Sequence, residues 1–267
     1  MEQIISNGLP ISYNRYGNGP VTLLFVHGAF IDQSYWAKQV AYFESRYTIV
    51  TMDLAGHGAS GRNREQWHIK DMADDVVNLM KALQLQQVIL IGHSLGADIV
   101  LLAATDYPAP VIGFIVVDNF KNVATPLPQE YESQVKSIIE RSQRDFAGTN
   151  EQYARMVLVT PATPQWITDK IVAAYRNAYE PMGQQTLPQF FTMDKIEKER
   201  VPRLAPVLHL VNVNYMPTSK VALEQHTVNG YKLVEIEGTS HYPMLKHPEA
   251  LNKALDGIIS GIIAKQA

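Results

Sequence analysis

Cysteine is absent from the 267 residues, so disulfide bonds and thiolate metal sites are excluded. Charge of either sign is sparse, because 23 Lys and Arg residues against 26 Asp and Glu residues give a formal net charge of −3. We therefore expect no nucleic-acid partner, since binding a phosphate backbone requires a concentrated basic surface. No segment reaches the ~18 consecutive apolar residues of a membrane span, and the first residues lack the basic and apolar regions of a secretory signal. These absences predict a soluble, cytoplasmic protein and leave its oligomeric state open.

Motifs for metals and nucleotides are missing as well. No cluster of His or carboxylate residues has metal-ligand spacing such as His-x-x-x-His. The glycine-rich segment 56–61 lacks the lysine of a nucleotide-binding loop, so it is interpreted as a turn. We expect neither a metal ion nor an organic cofactor, and we expect a small molecule as the ligand.

Eight short segments predict the strands of one sheet. The first two flank Asn7-Gly8, a pair typical of tight hairpin turns, so they predict an antiparallel edge. Most of the others are continuous, β-branched apolar runs, as expected for strands buried on both faces. Helical patterns such as 69–83 alternate with them, which predicts a mostly parallel α/β sheet with helices on both faces. The predicted strands are 3–6, 11–15, 21–26, 47–52, 88–91, 111–117, 207–213 and 231–236.

The segment 119–200 lacks the alternation of strand and helix patterns found in the rest of the chain. It contains no strand-like run bounded by turn signals, and its helical patterns are separated by Pro- and Gly-containing breaks. A structureless loop of this length is improbable, so we predict a helical lid inserted in a core formed by residues 1–118 and 201–267. Nine apolar residues of the lid are candidates to line a pocket, although we expect most of them to pack within the lid: Phe146, Met156, Leu158, Trp166, Tyr175, Met182, Phe190, Phe191 and Met193.

The segment Gly92-His93-Ser94-Leu95-Gly96 matches the Gly-x-Ser-x-Gly pattern of a nucleophile elbow. It follows an apolar strand and precedes the helix-compatible residues 97–104, which is the context that this motif requires. The two glycines leave room for a sharp turn, so Ser94 is predicted at the carboxyl end of the strand. There the N-terminus of the next helix and the Leu95 backbone N–H stabilise negative charge. Ser94 is therefore the candidate nucleophile.

A serine hydroxyl needs a base that takes its proton, and His241 is the best candidate among the eight histidines. It follows the last predicted strand and precedes the helix-like segment 248–263. His27 is expected to brace a loop by hydrogen bonding, and His93, inside the elbow, is expected to point away from the hydroxyl. The other five are expected to be structural or solvated: His57, His68, His209, His226 and His247.

Four segments stand in the order seen in α/β-hydrolases, and the chain resembles that family over nearly its whole length except the insertion. They are Val26-His27-Gly28-Ala29-Phe30, the run 52–60, the Ser94 elbow and Gly238-Thr-Ser-His241. The resemblance implies that the residue after His27-Gly28 supplies a second oxyanion-hole N–H. Ala29 and Leu95 are thus the implied pair of donors, and Asp53 looks structural in the family.

The acid of the expected Ser-His-Asp triad has two candidate positions. The resemblance implies Asp or Glu in the loop after the strand that follows the insertion, but residues 210–219 contain no carboxylate. Asn214 lies near that position, and an amide can orient a histidine but carries no charge to stabilise imidazolium. Asp118, at the carboxyl end of the strand 111–117, occupies a position from which some family members supply the acid. We predict Asp118 as the acid, while a structural role as a helix cap is the alternative.

These residues predict a serine hydrolase that cleaves a small carboxylic ester or lactone through an acyl-enzyme. A serine nucleophile excludes the haloalkane dehalogenase and epoxide hydrolase branches of the family, which use a carboxylate. Carbon–carbon hydrolases, perhydrolases and lyases share the same constellation and stay open as alternatives. A ligand sensor with slow hydrolysis is a further alternative, which an exposed apolar patch on the lid would favour.

Overall fold

The computed structural model describes residues 1–266, and a single sheet forms the centre of this part of the chain. The eight strands are β1 (Glu2–Ser6), β2 (Leu9–Tyr16), β3 (Thr22–Val26), β4 (Thr48–Met52), β5 (Val88–His93), β6 (Val111–Val117), β7 (Leu208–Val213) and β8 (Tyr231–Ile236). Their spatial order is β1-β2-β4-β3-β5-β6-β7-β8. β2 pairs antiparallel with β1 and β4, and all other neighbours are parallel. The predicted mostly parallel, eight-stranded sheet with an antiparallel edge is confirmed.

Two groups of helices accompany the sheet. α2 packs against α3, whereas α1, α10 and α11 contact one another. Within residues 1–266, none of the helices is both long enough and apolar enough to cross a bilayer. The helices are α1 (Ala37–Phe43), α2 (Ile69–Ala82), α3 (Leu95–Asp106), α4 (Glu132–Arg144), α5 (Phe146–Tyr153), α6 (Gln165–Arg176), α7 (Glu180–Phe190), α8 (Met193–Arg200), α9 (Lys220–His226), α10 (Pro243–Lys246) and α11 (Pro248–Ile263).

The core lies along the central strands, because their runs of apolar residues have no polar face to turn toward water. Every residue of β3, β4 and β5 is buried. Leu24, Ile91 and Phe114, from three central strands, have no exposed surface. Burial of each such side chain stabilises the fold by about 1.5–3 kcal/mol relative to leaving it in water. The parallel register brings the carboxyl ends of β3, β5 and β6 to one edge of the sheet, where the elbow and its neighbours are found.

The predicted insertion consists of helices that lie between β6 and β7. α4 to α8 follow one another there, and residues 154–158 extend α5 by a π-helical turn. The side chain of Gln189 on α7 accepts a hydrogen bond from the Ile69 backbone N–H and donates one to the carbonyl oxygen of Trp67, at 3.0 and 2.9 Å. Arg200 on α8 pairs with Asp106 on α3. The helical nature of the segment agrees with the sequence patterns, and its division from the core as a lid stays a prediction.

Candidate active site

The chain reverses sharply at Ser94, between β5 and α3. Ser94 has φ +51° and ψ −129°, a conformation that L-residues rarely adopt and that is strained for any side chain. Gly92 and Gly96 make this turn possible, because a Cβ at Gly92 would lie 2.5 Å from the Gly96 carbonyl oxygen. A Cβ at Gly96 would lie 2.5 Å from the carbonyl oxygen of His27. The two glycines are therefore required by the packing of the elbow.

The loop after β3 lies directly against the elbow. A Cβ at Gly28 would be 3.0 Å from the Ser94 Cβ, so only glycine lets this loop approach so closely. The next residue, Ala29, lines the same cavity as Ser94 and Leu95. The structure thus brings the predicted nucleophile and the two residues implied as oxyanion-hole donors to one cavity.

Asp118 and His241 are in direct contact. The Nδ1 atom of His241 lies 2.6 Å from Asp118 Oδ2, and since a carboxylate only accepts, the ring donates this hydrogen bond. Asp118 Oδ1 also accepts from the Val213 backbone N–H at 3.0 Å and lies 2.9 Å from the ammonium of Lys121. Burial opposes the ionisation of Asp118, but the hydrogen bond and charge of His241 and the charge of Lys121 outweigh it and hold the pKa of Asp118 below its usual value. Asp118 is thus a buried carboxylate.

His93, within the elbow, connects this turn to His241. Its Nε2 lies 2.8 Å from the His241 carbonyl oxygen, and the two ring centroids are 4.7 Å apart. Burial lowers the pKa of His93 to about 3, so its ring is neutral and donates this hydrogen bond. Ser94 is in turn tied to the strand of Asp118, because its backbone N–H donates to the Val117 carbonyl oxygen at 3.1 Å. Ser94, Asp118 and His241 therefore belong to one connected cluster.

The loop after β7 contributes no side chain to this cluster at Asn214. Asn214 is exposed, and its backbone N–H donates to the Ile236 carbonyl oxygen. The contact with His241 comes from Asp118, one of the two positions left open by the sequence. Asp118 itself has φ +49°, so both Ser94 and Asp118 are held in a strained conformation.

A cavity of about 350 Å³ opens beside Ser94. Phe30 forms its aromatic floor and meets Tyr175 edge to face, with ring centroids 5.2 Å apart. Five of the nine apolar residues singled out in the predicted lid line this cavity, which is more than the sequence led us to expect: Leu158, Tyr175, Phe190, Phe191 and Met193. Met156 and Trp166 are instead 72% and 59% exposed.

A pair of buried carboxyl groups closes one part of the cavity wall. Asp98 comes from α3 and Glu197 from α8, and they are 3% and 8% exposed. Asp98 Oδ2 accepts from the Asn119 amide at 2.8 Å, and Glu197 Oε2 accepts from the Ala124 backbone N–H at 2.5 Å. Asp98 Oδ1 has no N–H or hydroxyl donor within residues 1–266, so its contact with Glu197 is a hydrogen bond only when one carboxyl group carries a proton.

Burial and the neighbouring charge of Glu197 raise the pKa of Asp98 well above its usual value. Burial also raises the pKa of Glu197. The hydrogen bond between them favours Asp98 as the group that keeps the proton, with Glu197 as the acceptor. Asp98 and Glu197 thus resemble a pair of carboxyl groups that share one proton at the wall of the cavity.

Comparisons with known proteins place this geometry in a family. Residues 23–254 match the model of the alpha/beta hydrolase family. The chain belongs to the α/β hydrolase family. The predicted fold is thereby confirmed, and so, at the level of the family, is the prediction of a hydrolase. Which reaction this α/β hydrolase carries out is a separate question.

Individual relatives of this α/β hydrolase are distant. It is 29% identical over 129 residues to a 2-(acetamidomethylene)succinate hydrolase from Mesorhizobium japonicum, covering 48% of the chain and 46% of that protein. The alignments with the first curated relatives span less than half of each relative's length. Among solved structures, Est816, described as an N-acyl homoserine lactone degrading enzyme, has a TM-score of 0.81 at 21% identity, covering 96% of this chain and 99% of that chain. A thermophilic esterase from Thermogutta terrifontis has a TM-score of 0.82 at 18% identity and covers 98% of both chains.

Two histidines of this α/β hydrolase outside the cluster, His27 and His57, make structural hydrogen bonds. His27 donates from Nδ1 to the Gly28 carbonyl oxygen and accepts from the Leu54 backbone N–H, at 2.7 and 3.0 Å, as its predicted loop-bracing role requires. Burial lowers the pKa of His57 to about 3, and its Nδ1 bonds to the Ala55 carbonyl oxygen. Within residues 1–266, no cluster of three or more His, Asp or Glu side chains is arranged to hold a metal ion.

Four polar residues of the site escaped sequence reasoning, namely Asn119, Asp98, Glu197 and Lys121. Asn119 donates to the Ser94 carbonyl oxygen and to Asp98, both at 2.8 Å. Asp98 carried a signal that could have been used, because it is one acidic residue within the otherwise apolar stretch 95–104. Lys121 carried none, since its partners include carbonyl oxygens more than 90 positions further along the chain.

Proposed function

We propose that this protein is a serine hydrolase that cleaves small, uncharged carboxylic esters or lactones. Ser94 is the nucleophile, His241 the general base and Asp118 the acid that orients it. The observation that carries the proposal is the 2.6 Å contact between His241 Nδ1 and the ionised Asp118, next to a serine on a strained elbow. A carboxylate on Nδ1 leaves the other ring nitrogen of His241 free of a proton and able to accept one from Ser94.

The reaction proceeds through an acyl-enzyme. Ser94 attacks the carbonyl carbon while His241 takes the hydroxyl proton, and the oxyanion accepts hydrogen bonds from the backbone N–H groups of Ala29 and Leu95. The intermediate collapses as His241 returns the proton to the leaving alkoxide. Water then attacks the acyl-enzyme with His241 as base, which releases the acid and restores Ser94. Asp118 stabilises the imidazolium of His241 during both steps, and neutral His93 adds no competing charge.

The cavity supports an uncharged substrate. Its lining within the described residues is mostly apolar and aromatic, with three carboxyl groups, Asp98, Asp194 and Glu197, and no Lys, Arg or His. A substrate carboxylate would be buried against negative charge with no cation to compensate it. This argues against a dicarboxylate, although two relatives are named as succinate hydrolases. The likeness to a lactone-degrading enzyme and to an esterase supports an ester or lactone bond.

The proposal is tested by hydrolysis of p-nitrophenyl acetate and butyrate, with parent protein and Ser94→Ala checked for equal folding. Ser94→Ala is expected to lose at least about 10³-fold in kcat, because no acyl-enzyme can form. Exposed Ser34 offers a matched control, and Ser34→Ala should retain full activity. Covalent labelling by a fluorophosphonate should occur in the parent and in Ser34→Ala and be absent in Ser94→Ala. Equal turnover by the parent and Ser94→Ala would refute the proposal.

A ligand sensor with slow hydrolysis is the second candidate, because Met156 and Trp166 of the inserted segment are largely exposed. Such side chains are a surface on which a partner could dock. The two candidates differ in turnover: an esterase reaches at least about 1 s⁻¹ on a good ester, which is the low end of typical enzymes. A labelled Ser94 with much slower turnover would favour the sensor. Product analysis separates ester cleavage from the carbon–carbon hydrolase, perhydrolase and lyase reactions of the same constellation.

A further inference from the structure

Lys121 is held against the acid of the cluster by an unusually complete set of contacts. Its ammonium lies 2.9 Å from Asp118 Oδ1, 2.6 Å from the Val213 carbonyl oxygen and 3.0 Å from the Met216 carbonyl oxygen. These three acceptors match the three donors of an ammonium group. The ammonium also lies 4.8 Å from the centroid of the Tyr215 ring, within range of a cation–π interaction.

These contacts differ from those of an ordinary surface ion pair. The side chain of Lys121 is only 15% exposed and that of Asp118 is fully buried, so solvent screens their attraction weakly. The backbone takes part as well, because the Lys121 carbonyl oxygen accepts from the Ser219 N–H at 2.6 Å. Lys121 therefore fastens the chain after β6 to both ends of the loop 213–219 after β7.

That loop is where the family resemblance implied a carboxylate and where the sequence has none. In its place, the loop supplies two carbonyl oxygens to Lys121 and one N–H to Asp118, at Val213. The loop after β7 thus has no carboxylate of its own, but it holds Asp118 in position through its contacts with Lys121.

We propose that Lys121 is a positioning residue that fixes Asp118 against His241 and sets the lower pH limit of catalysis. The proposal rests on the proposed function, since it assigns His241 as the base. His241 must be neutral to act, and a cation beside its carboxylate partner opposes the positive charge of the imidazolium. Loss of the Lys121 charge is therefore expected to favour the imidazolium and to restrict activity at low pH, while loss of its contacts loosens Asp118.

The groups that face His241 and Asp118 come from four places in the fold. Tyr242, next to His241 in the chain, meets its ring edge to face and is a phenol whose pKa burial raises. His93 at the end of β5 is buried and neutral, and Tyr215 in the loop after β7 is a phenol whose pKa burial raises, so it stays uncharged. Asp118 follows β6, and Lys121 follows it by three residues. Of the charged groups in contact with this cluster, Lys121 is the one that opposes protonation of His241.

The test compares the pH profile of kcat/KM for p-nitrophenyl butyrate between pH 4.5 and 9 in the parent and in Lys121→Met. The variant removes the charge and keeps much of the apolar side chain. We expect the lower pH limb to move to higher pH by about one unit and kcat at the plateau to fall by about tenfold as Asp118 loosens. Lys136, which is 80% exposed on α4, offers the matched control, and Lys136→Met should reproduce the parent profile.

Two further variants keep the proposal open to refutation. Lys121→Arg restores the charge and should return the lower limb toward that of the parent, which a merely structural role would not require. Lys121→Gln is neutral and still donates to the carbonyl oxygens, so it replaces Lys121→Met if the methionine variant does not fold.

A lower limb that is unchanged, or moved to lower pH, in the folded neutral variant would overturn the role of Lys121. If Ser94→Ala remains active in the same assay, it is the proposed function that fails.

Discussion

Two buried acid sites lie near Ser94, and the groups that contact the carboxyl differ between them. Asp118 is surrounded by donors, namely the His241 ring, the Val213 N–H and the Lys121 ammonium, and its pKa lies below its usual value. Asp98 faces Glu197, with no cation in contact, and its pKa is well above the usual value. Burial raises the pKa in both cases, so the opposite directions of the two shifts come from the partners.

The comparison shows how one fold keeps a carboxylate ionised and another carboxyl group neutral within the same region. An ionised acid serves to stabilise a developing positive charge, which is the role proposed for Asp118. A proton-sharing pair carries less negative charge and packs better in an apolar wall, which suits a cavity for an uncharged substrate. The following experiments separate the two sites, beginning with the largest expected effect.

Asp118→Asn should reduce kcat by about 10³–10⁴-fold, because an amide cannot stabilise the imidazolium and allows the wrong tautomer of the ring. Asp98→Asn, the same change at the other acid site, should reduce kcat by less than about tenfold, since burial and Glu197 raise the pKa of Asp98 and favour its neutral form, which an amide resembles. Steady-state hydrolysis of p-nitrophenyl butyrate at pH 8 measures both. Equal losses in the two variants would mean that the acid sites do not differ in role.

Substrate charge should affect kcat/KM by about tenfold or more, the equivalent of ~1.4 kcal/mol. We expect a p-nitrophenyl ester whose acyl chain ends in a carboxylate to react more slowly than one that ends in a methyl group, because the wall with Asp98 and Glu197 repels it. An ester that ends in trimethylammonium should not be penalised in this way. Combining Asp98→Asn with Glu197→Gln should narrow the difference. Faster cleavage of the carboxylate ester by the parent would contradict the charge argument.

Asn119 links the two sites, so its loss should affect both to a smaller degree. Asn119→Ala removes donors to the Ser94 carbonyl oxygen and to Asp98, and we expect a destabilisation of about 1–3 kcal/mol with a several-fold lower kcat. Asn122→Ala is the control, because Asn122 lines the same cavity and has no such link to the elbow. Urea unfolding and the ester assay give the two readouts. Indistinguishable behaviour of the two alanine variants would show that the link is unimportant.

The contribution of the Asp98–Glu197 pair to the pH dependence of stability should be the smallest effect, on the order of 1 kcal/mol. The raised pKa values of Asp98 and Glu197 contribute stability that is complete at low pH and is lost as pH rises through them. The lowered pKa of Asp118 acts in the opposite sense, with stability lost as pH falls through it. Urea unfolding at pH 7, 8 and 9, above the range in which His57 and His93 would take up protons in the unfolded chain, should therefore show a high-pH loss that the double variant Asp98→Asn, Glu197→Gln reduces. A parent that gains stability between pH 7 and 9 would contradict this assignment.

The sheet was predictable because its signal is local. Runs such as 111–117 are apolar throughout, and the structure has β6 over Val111–Val117, as predicted. The elbow was predictable for the same reason, since its glycines stand next to Ser94 in sequence. Asp118 was predicted as the acid because it ends an apolar strand, whereas its contact with His241 joins residues 123 positions apart and has no local signal.

The pairing of Asp98 with Glu197 could not be read from the sequence, because the two residues come from helices that are distant in the chain. Glu197 stands in the charged run 197–200, which is typical of a solvated helix face, yet it is 8% exposed. Its burial results from packing of α8 on α3, a contact between elements about 100 residues apart. Lys121 was hidden for a similar reason, because local spacing says nothing about the loop after β7 that surrounds its ammonium.

The position of β6 beside β7 has a consequence for engineering. The two strands pair in parallel, with Phe114 opposite Leu208 and Val117 opposite Val211, so the intervening chain leaves at the carboxyl end of β6 and crosses over to enter the amino end of β7. A different helical segment that makes the same crossover could therefore be exchanged there without a change of strand register. Because Asp118 and Lys121 lie at the very start of this segment, a graft that begins after Lys121 would vary the substrate cavity while it keeps the acid and its cation. Chimeras of this kind would change the substrate specificity by replacing one continuous segment.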